Sequence, residues 1–262
     1  MFEDLLEDIA QKNGIRQVNT YLKLAAGTGA ILLCLLSSSY FAPLFIAVLL
    51  TAGILLLARV DLKTYTYLFI HLAGLALVSV IGIVLIYGGD TLFWSWHPAS
   101  WFSLSVTRES VNQGFFVFCR IIGGMSAVCF LALTTPMTDL FTVMRQCHIP
   151  EVVIDLAMII YRTIFFLMDQ VQQIHRAQLM RLGYSGWRES IHTFAMMCGA
   201  AFIASWDAGD DLIHAMDARC YDGKFALLGA NRPVELRPLA VLITFLVMAS
   251  VAVFVSQGMT LL

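Results

Sequence analysis

Five apolar stretches constrain this chain more than any other feature, because each is close to the length of one bilayer crossing. They run over about 22–39, 43–58, 65–87, 109–135 and 238–255. A membrane-spanning helix needs about 20 mostly apolar residues. The first two stretches are short and closely joined, which predicts a helical hairpin, and Pro136 is expected to stop the fourth helix.

The composition agrees with a membrane protein. Hydrophobic residues make up 59% of the chain and charged residues 13%, against about 25% charged residues in an ordinary soluble domain. These proportions exclude a soluble enzyme, a disordered chain and a nucleic-acid binder with a basic face. The predicted fold class is therefore all-α, a polytopic membrane protein with about five transmembrane helices.

Two further apolar stretches, 152–168 and 191–206, are somewhat short and are interrupted by charge, as at Asp155 and Arg162. Hydropathy leaves two alternatives open: two extra spans, or two long helices at the membrane face. The roughly one hundred residues between the fourth and fifth spans far exceed what a connection needs. We predict transmembrane helices in 1–134, a helical cytoplasmic region in 135–236 and a last transmembrane helix in 237–262.

The distribution of basic residues predicts the orientation. All but Arg108 and Arg120 of the 16 lysines and arginines lie on one side of the predicted spans, so the positive-inside rule places the N-terminus in the cytoplasm and 88–107 outside. The acidic opening 1–8 lacks the basic start of a signal peptide, and the first span is expected to direct insertion into the inner or plasma membrane. Arg120 lies inside the fourth span, where it is either functional or directed toward the outer headgroups.

Two segments of the cytoplasmic region, 169–184 and 207–223, share a pattern. Each is a mixed polar and apolar helix with an arginine near its end, Arg181 or Arg219, and a glycine soon after, Gly183 or Gly223. Arginine suits the negative end of a helix dipole, and glycine suits a left-handed stop. These arginines are either ordinary helix ends that face lipid headgroups, or guanidinium groups presented to an acidic groove of a soluble partner.

At these residues the chain resembles a known family, the transmembrane T component of energy-coupling factor (ECF) transporters, and among them the CbiQ type of cobalt and nickel uptake systems. The resemblance covers nearly the whole chain. It is carried by Asp8-Ile9-Ala10, Asn13-Gly14-Ile15-Arg16, Asn19, Lys23, Ile149-Pro150, Tyr161-Arg162, Ala177-Gln178, Met180-Arg181-Leu182-Gly183-Tyr184, Ala215-Met216 and Ala218-Arg219-Cys220. The family often has Ala-Arg-Gly where this chain has Met180-Arg181-Leu182 and Ala218-Arg219-Cys220.

The resemblance implies that the cytoplasmic region holds two coupling helices, which dock into grooves of two ABC-type ATPases through Arg181 and Arg219. Their neighbours Met180, Leu182, Ala218 and Cys220 would pack around these contacts, and Arg162, Arg176, Gly183 and Arg120 are supporting candidates. The other implied partner is a CbiM-like substrate-binding membrane subunit. Small residues are candidates for gripping it: Gly123, Gly124, Ser126, Ala127, Gly199, Ala200 and Ala201.

The chain itself is expected to be a non-catalytic subunit without cofactors, with ATP held by the ATPases and the metal ion by the substrate-binding subunit. A Walker A loop and an H-E-x-x-H motif are absent from the sequence, and its six histidines are scattered. Three alternatives stay open: a T component for a vitamin-type subunit, a stand-alone secondary transporter, and a rhomboid-like protease built on Gly183-Tyr184-Ser185-Gly186.

Overall fold

A computed structural model describes residues 9–11, 13–58, 60–86, 92–99, 102–221 and 235–256, with the backbone alone for 86, 92–99 and 102–106. The chain divides into two compact units, a first unit of 1–140 with 230–262 and a second unit of 141–229. The elements in chain order are α1 (Thr20–Leu36), α2 (Phe41–Leu56), α3 (Leu62–Ile86), β1 (Leu92–Ala99), β2 (Phe102–Thr107), α4 (Arg108–Thr134), α5 (Met137–Gln146), α6 (Glu151–Met180), α7 (Trp187–Asp217) and α8 (Leu236–Ser256).

The five predicted spans correspond to α1, α2, α3, α4 and α8. Within the described residues, α3, α4 and α8 are long and apolar enough to cross a membrane, and α1 and α2 are shorter apolar helices of 17 and 16 residues. The chain is therefore a multi-pass membrane protein that is nearly all helical, as predicted. The cytoplasmic N-terminus and the division of the chain at 134 and 237 stay predictions.

Helix α4 is central to the first unit, where it packs against α1, α2 and α3. Small residues allow the close approach. A Cβ atom added to Gly123 would lie 2.8 Å from Cys34 Sγ and 2.9 Å from the carbonyl oxygen of Pro43. Ser126 and Ala127 are fully buried in the same unit. These three candidates for partner contact are therefore used in internal packing, whereas a Cβ atom on Gly124 would meet open space.

The start of the described chain is bound to the end of α4. Asn13 Nδ2 donates to the carbonyl oxygens of Leu133 (3.1 Å) and Thr134 (3.2 Å), and Lys23 Nζ donates to Thr134 O (3.0 Å). The last carbonyls of a helix have no partner inside the helix, and a cation there also suits the helix dipole. Lys23, with only 2% of its surface exposed, is buried because its charge caps α4.

A two-stranded antiparallel hairpin lies between α3 and α4, which the sequence analysis did not predict. Its register pairs Trp94 with Val106 and Trp96 with Leu104. At its end, the backbone N–H of Ser110 donates to Thr107 Oγ1 and that of Thr107 to Ser110 Oγ, which is a capping box. This box fixes the start of α4 one residue before the predicted one.

The second unit is built on two long helices, α6 with 30 residues and α7 with 31. The turn 181–186 returns the chain along α6, so that Gln178 Nε2 donates to the carbonyl oxygen of Thr193 (3.1 Å). An ion pair of 3.3 Å between Arg145 and Asp155 joins α5 to α6. The stretches 152–168 and 191–206 are the middle parts of α6 and α7. Neither helix, both described in full, qualifies as a membrane span by length and composition, which favours the second alternative of two long helices.

Candidate functional site: two arginine turns

Arg181 lies at the turn that ends α6. The N–H of Gly183 donates to the carbonyl oxygen of Gln178 (3.0 Å), and the N–H of Leu182 donates to that of Leu179 (3.1 Å). This pair of hydrogen bonds is the Schellman motif. In this motif the first residue after the C-cap of the helix adopts the left-handed conformation. That residue is Leu182, with φ 56°.

Arg219 lies at a turn of the same construction after α7. The N–H of Tyr221 donates to the carbonyl oxygen of Met216 (3.1 Å), and the N–H of Cys220 donates to that of Asp217 (3.0 Å). The left-handed residue is Cys220, with φ 52°. In both turns the arginine immediately precedes the left-handed residue, so the two arginines are structurally equivalent.

The prediction that Gly183 is the left-handed residue after α6 is wrong, because Leu182 has the positive φ and Gly183 does not. Gly223, the corresponding glycine after α7, lies outside the described residues. The two positions that the family often fills with glycine, the ones after each arginine, are the left-handed ones here. Leucine and cysteine carry a conformational cost of about 1–2 kcal/mol there, because the Cβ atom approaches the following carbonyl oxygen.

We expect Leu182→Gly to stabilise the second unit by about 1 kcal/mol, because glycine removes this cost and the exposed leucine loses little packing. Thermal unfolding of the purified chain measures the effect. Gly183→Ala is the matched control and should lower the stability of the second unit, since its Cβ atom would lie 2.8 Å from Thr193 Cγ2. A lower melting temperature for Leu182→Gly would contradict the assignment of the left-handed position.

A polar network fixes the Arg181 turn against α7. Thr193 Oγ1 donates to the carbonyl oxygen of Gly183 (2.8 Å), and the Tyr184 hydroxyl donates to Gln178 Oε1 (2.9 Å) and lies 3.1 Å from His175 Nδ1. The sequence motif contained Gln178 and Tyr184 without a role, it contained Gly183 as the expected left-handed stop, and it did not include Thr193. These residues hold the turn, and the arginine is presented from a fixed backbone.

The two turns are open to the outside. Arg181 and Arg219 are both exposed, and Met180 and Leu182 have 87% and 77% of their surfaces accessible. Among the described residues, neither guanidinium group has a hydrogen-bond or ion-pair partner. Exposed apolar side chains beside an unpaired arginine are typical of the centre of a protein interface. Ala218 and Cys220 are exposed in the same way beside Arg219.

The two arginines lie at opposite ends of α7, since Arg181 comes before it and Arg219 after it. A helix of 31 residues is roughly 46 Å long at about 1.5 Å per residue. The second unit therefore presents two equivalent arginines that are far enough apart to contact two separate partner sites.

The three arginines named as supporting candidates lie in different surroundings. Arg162 lines a groove of about 660 Å³ between α6 and α7 together with Arg219 and Asp211. Arg176 is exposed and donates to Gln172 Oε1 one turn away (3.5 Å). Arg120 lies in the first unit, where its guanidinium donates to the carbonyl oxygen of Ser37 (2.6 Å) and stacks over the Phe116 ring. It therefore caps the end of α1.

The residues of the protease alternative do not form a catalytic arrangement. Ser185 is exposed in the turn between α6 and α7, and its hydroxyl donates to the Glu189 carboxylate. A nucleophilic serine needs a histidine within hydrogen-bond distance. Within the described part of the chain, Ser185 has no such histidine partner.

Comparison with known proteins decides the family. The family model CbiQ, described as cobalt transport protein, matches residues 11–227. The chain belongs to the CbiQ family. The match includes both arginine turns and most of the first unit, so the family that the motifs resembled is confirmed.

Two curated relatives of this CbiQ-family chain match over nearly its whole length. The putative fused cobalt transport protein CbiMQ of Methanocorpusculum labreanum is 34% identical over 99% of the chain, which spans 43% of that relative's length. The uncharacterized protein MJ1089 of Methanocaldococcus jannaschii is 28% identical over all of the chain and 97% of the relative. The energy-coupling factor transporter transmembrane protein EcfT 1 of Listeria monocytogenes is 26% identical over 80% of each chain.

Proposed function

We propose that this chain is the transmembrane T component of an ECF-type importer, in which it couples two cytoplasmic ATPases to a substrate-binding membrane subunit. The observation that carries the proposal is the repeated turn. Two helices end in the same hydrogen-bonded geometry, and each presents an exposed arginine without a partner among the described residues. Two equivalent arginine turns suit two equivalent partner subunits.

Each arginine would bind a carboxylate in a groove of one ATPase. The guanidinium group is planar, keeps its charge at every physiological pH and binds a carboxylate with two parallel hydrogen bonds. The exposed Met180 and Leu182 would be covered by the same groove. Closure of the ATPases on ATP would move the arginines relative to each other, and this motion would act on the membrane spans through differential contacts in the two states.

The substrate-binding subunit would cover apolar surface of the second unit. Phe202, Ile203 and Trp206 on α7 are more than half exposed. A Cβ atom on the nearby Gly199 would meet open space, and Ala200 is exposed. These two small residues are accessible for close helix packing. The name of the fused relative, which combines CbiM with CbiQ, supports a CbiM-like partner.

The proposed cargo is cobalt, or nickel, and it would be bound by the substrate-binding subunit and not by this chain. The names of the family and of the relatives support cobalt. Among the described residues there is no group of three or more histidine, cysteine, aspartate or glutamate side chains that could hold a metal ion. ATP would be bound by the ATPases, so this chain would be non-catalytic.

Reconstitution tests the proposal. The chain is co-expressed with two ABC-type ATPases and a CbiM-like subunit, purified and placed in vesicles, and ATP-dependent uptake of radioactive cobalt is measured. We expect uptake only with all components present. Uptake by the chain alone would favour a secondary transporter, uptake of a vitamin with a different substrate subunit would favour the vitamin-type alternative, and loss of activity in Ser185→Ala would favour the protease.

A further inference from the structure

An apolar groove in the first unit, separate from both arginine turns, points to a ligand. It has a volume of about 530 Å³ and lies between α1, α2 and α8. Of its lining side chains, only Lys23 and Thr244 are polar. This volume is within the range of roughly 300–1,000 Å³ of small-molecule sites.

The groove opens onto exposed apolar surface. Leu56 and Val241, which line it, have 74% and 56% of their surfaces exposed. Gly53 lies on the α2 wall, and a Cβ atom there would meet nothing within 4 Å. A groove of this shape and chemistry accommodates one hydrocarbon chain.

Two exposed arginines lie directly next to lining residues of the groove in the chain. Arg16 and Arg237 are both exposed. Arg16 directly follows the lining residue Ile15, and Arg237 directly precedes the lining residue Pro238. Among the described residues, neither guanidinium group has an ion-pair or hydrogen-bond partner. The lining contains no carboxylate. The acidic residue nearest to Arg237 along the chain is Glu235, which is exposed and lies two positions before it.

We infer that this groove binds an anionic phospholipid, with one acyl chain along the apolar wall and the phosphate on Arg16 and Arg237. The apolar lining selects hydrocarbon, and the two arginines select a headgroup with net negative charge over a zwitterionic one. Arg16, Arg237 and Lys63 are all among the basic residues that the positive-inside rule assigns to the cytoplasmic side. The inference does not depend on the arginine turns of the second unit.

Native mass spectrometry of the purified full chain tests the inference, with phosphatidylglycerol, phosphatidylcholine and inorganic phosphate as probes. We expect one retained phosphatidylglycerol and at least about fivefold weaker retention of phosphatidylcholine. Gly53→Phe fills the groove and should abolish retention of both lipids. The matched control is Gly74→Phe on α3, where a Cβ atom also meets open space, and it should retain lipid as the wild type does.

The charge is tested by Arg16→Ala with Arg237→Ala, which should remove the preference between the two lipids, whereas Arg188→Ala in the second unit should leave it unchanged. Equal retention in Gly53→Phe and Gly74→Phe, or an unchanged preference without the two arginines, would overturn the inference. Competition by inorganic phosphate alone would assign the site to free phosphate and also overturn it.

A labelling experiment on the wild type covers the case in which Gly53→Phe does not fold. Phosphatidylglycerol with a diazirine on its acyl chain is incorporated into nanodiscs with the chain and activated by light. We expect labelled peptides from 49–57 and 238–248 well above those from α3. Uniform labelling of all spans, or a crosslink of the groove to a second protein chain in place of the lipid, would overturn the inference.

Discussion

Replacing both Arg181 and Arg219 with glutamate is expected to abolish co-purification of the ATPases and ATP-driven uptake, while the chain still inserts in the membrane. In the proposed complex each arginine is paired with a carboxylate, and the substitution places two negative charges face to face. Truncating one partner of a buried interfacial charge pair costs about 2–5 kcal/mol, or roughly 30-fold or more in affinity. Each single variant should show an intermediate loss, because sites this far apart act additively.

Arg188→Glu is the matched control for charge. Arg188 is an exposed arginine of the same unit, in the first turn of α7 and outside both left-handed turns. Arg181→Lys keeps the charge but loses the planar fork, so it should bind more weakly than the wild type and more strongly than Arg181→Glu. If the double glutamate variant still retained both ATPases, or if Arg188→Glu lost them as fully, the proposed role of the two turns would be wrong.

The helices were predictable because their signal is local. A bilayer crossing needs a long apolar run, and such a run is visible in the sequence. The hairpin was missed although the segment Phe102-Ser103-Leu104-Ser105-Val106-Thr107 alternates apolar and polar residues, which is the period of a strand.

The arginine turns were predictable in position and not in backbone conformation. The sequence placed Arg181 near a helix end, and the general preference of left-handed stops for glycine pointed to Gly183. In the structure Gly183 is needed for a different reason, since Thr193 of α7 approaches it closely. A contact between two helices decides this, and it has no local signature in the sequence.

The contacts of Asn13 and Lys23 show the same limit over a longer distance. Both residues were noted only because the family motif contains them. Their partners are carbonyl groups at the end of α4, more than one hundred positions later in the chain. Backbone acceptors leave no trace in residue identity, so the sequence cannot show which groups a buried lysine caps.

Gly123→Leu is expected to destabilise the first unit by roughly 3 kcal/mol or more. Its Cβ atom alone would lie 2.9 Å from the Pro43 carbonyl oxygen and 2.8 Å from Cys34 Sγ. One of these atoms is backbone and cannot move aside without separating α2 from α4. Overpacking a dense core typically costs 1–3 kcal/mol, and leucine adds three more carbons beyond the Cβ atom. The melting temperature in detergent, followed by fluorescence-detected size-exclusion chromatography, measures the loss.

Gly124→Leu is the control that separates this clash from the general effect of leucine on a helix. It lies one residue further along α4, where a Cβ atom meets nothing within 4 Å. Leucine is favoured over glycine inside a helix by up to about 1 kcal/mol, so this variant should melt at or above the wild-type temperature. The two adjacent substitutions therefore have effects of opposite sign if α4 packs as described. Equal melting temperatures would show that Gly123 does not face the contact between α4 and α2.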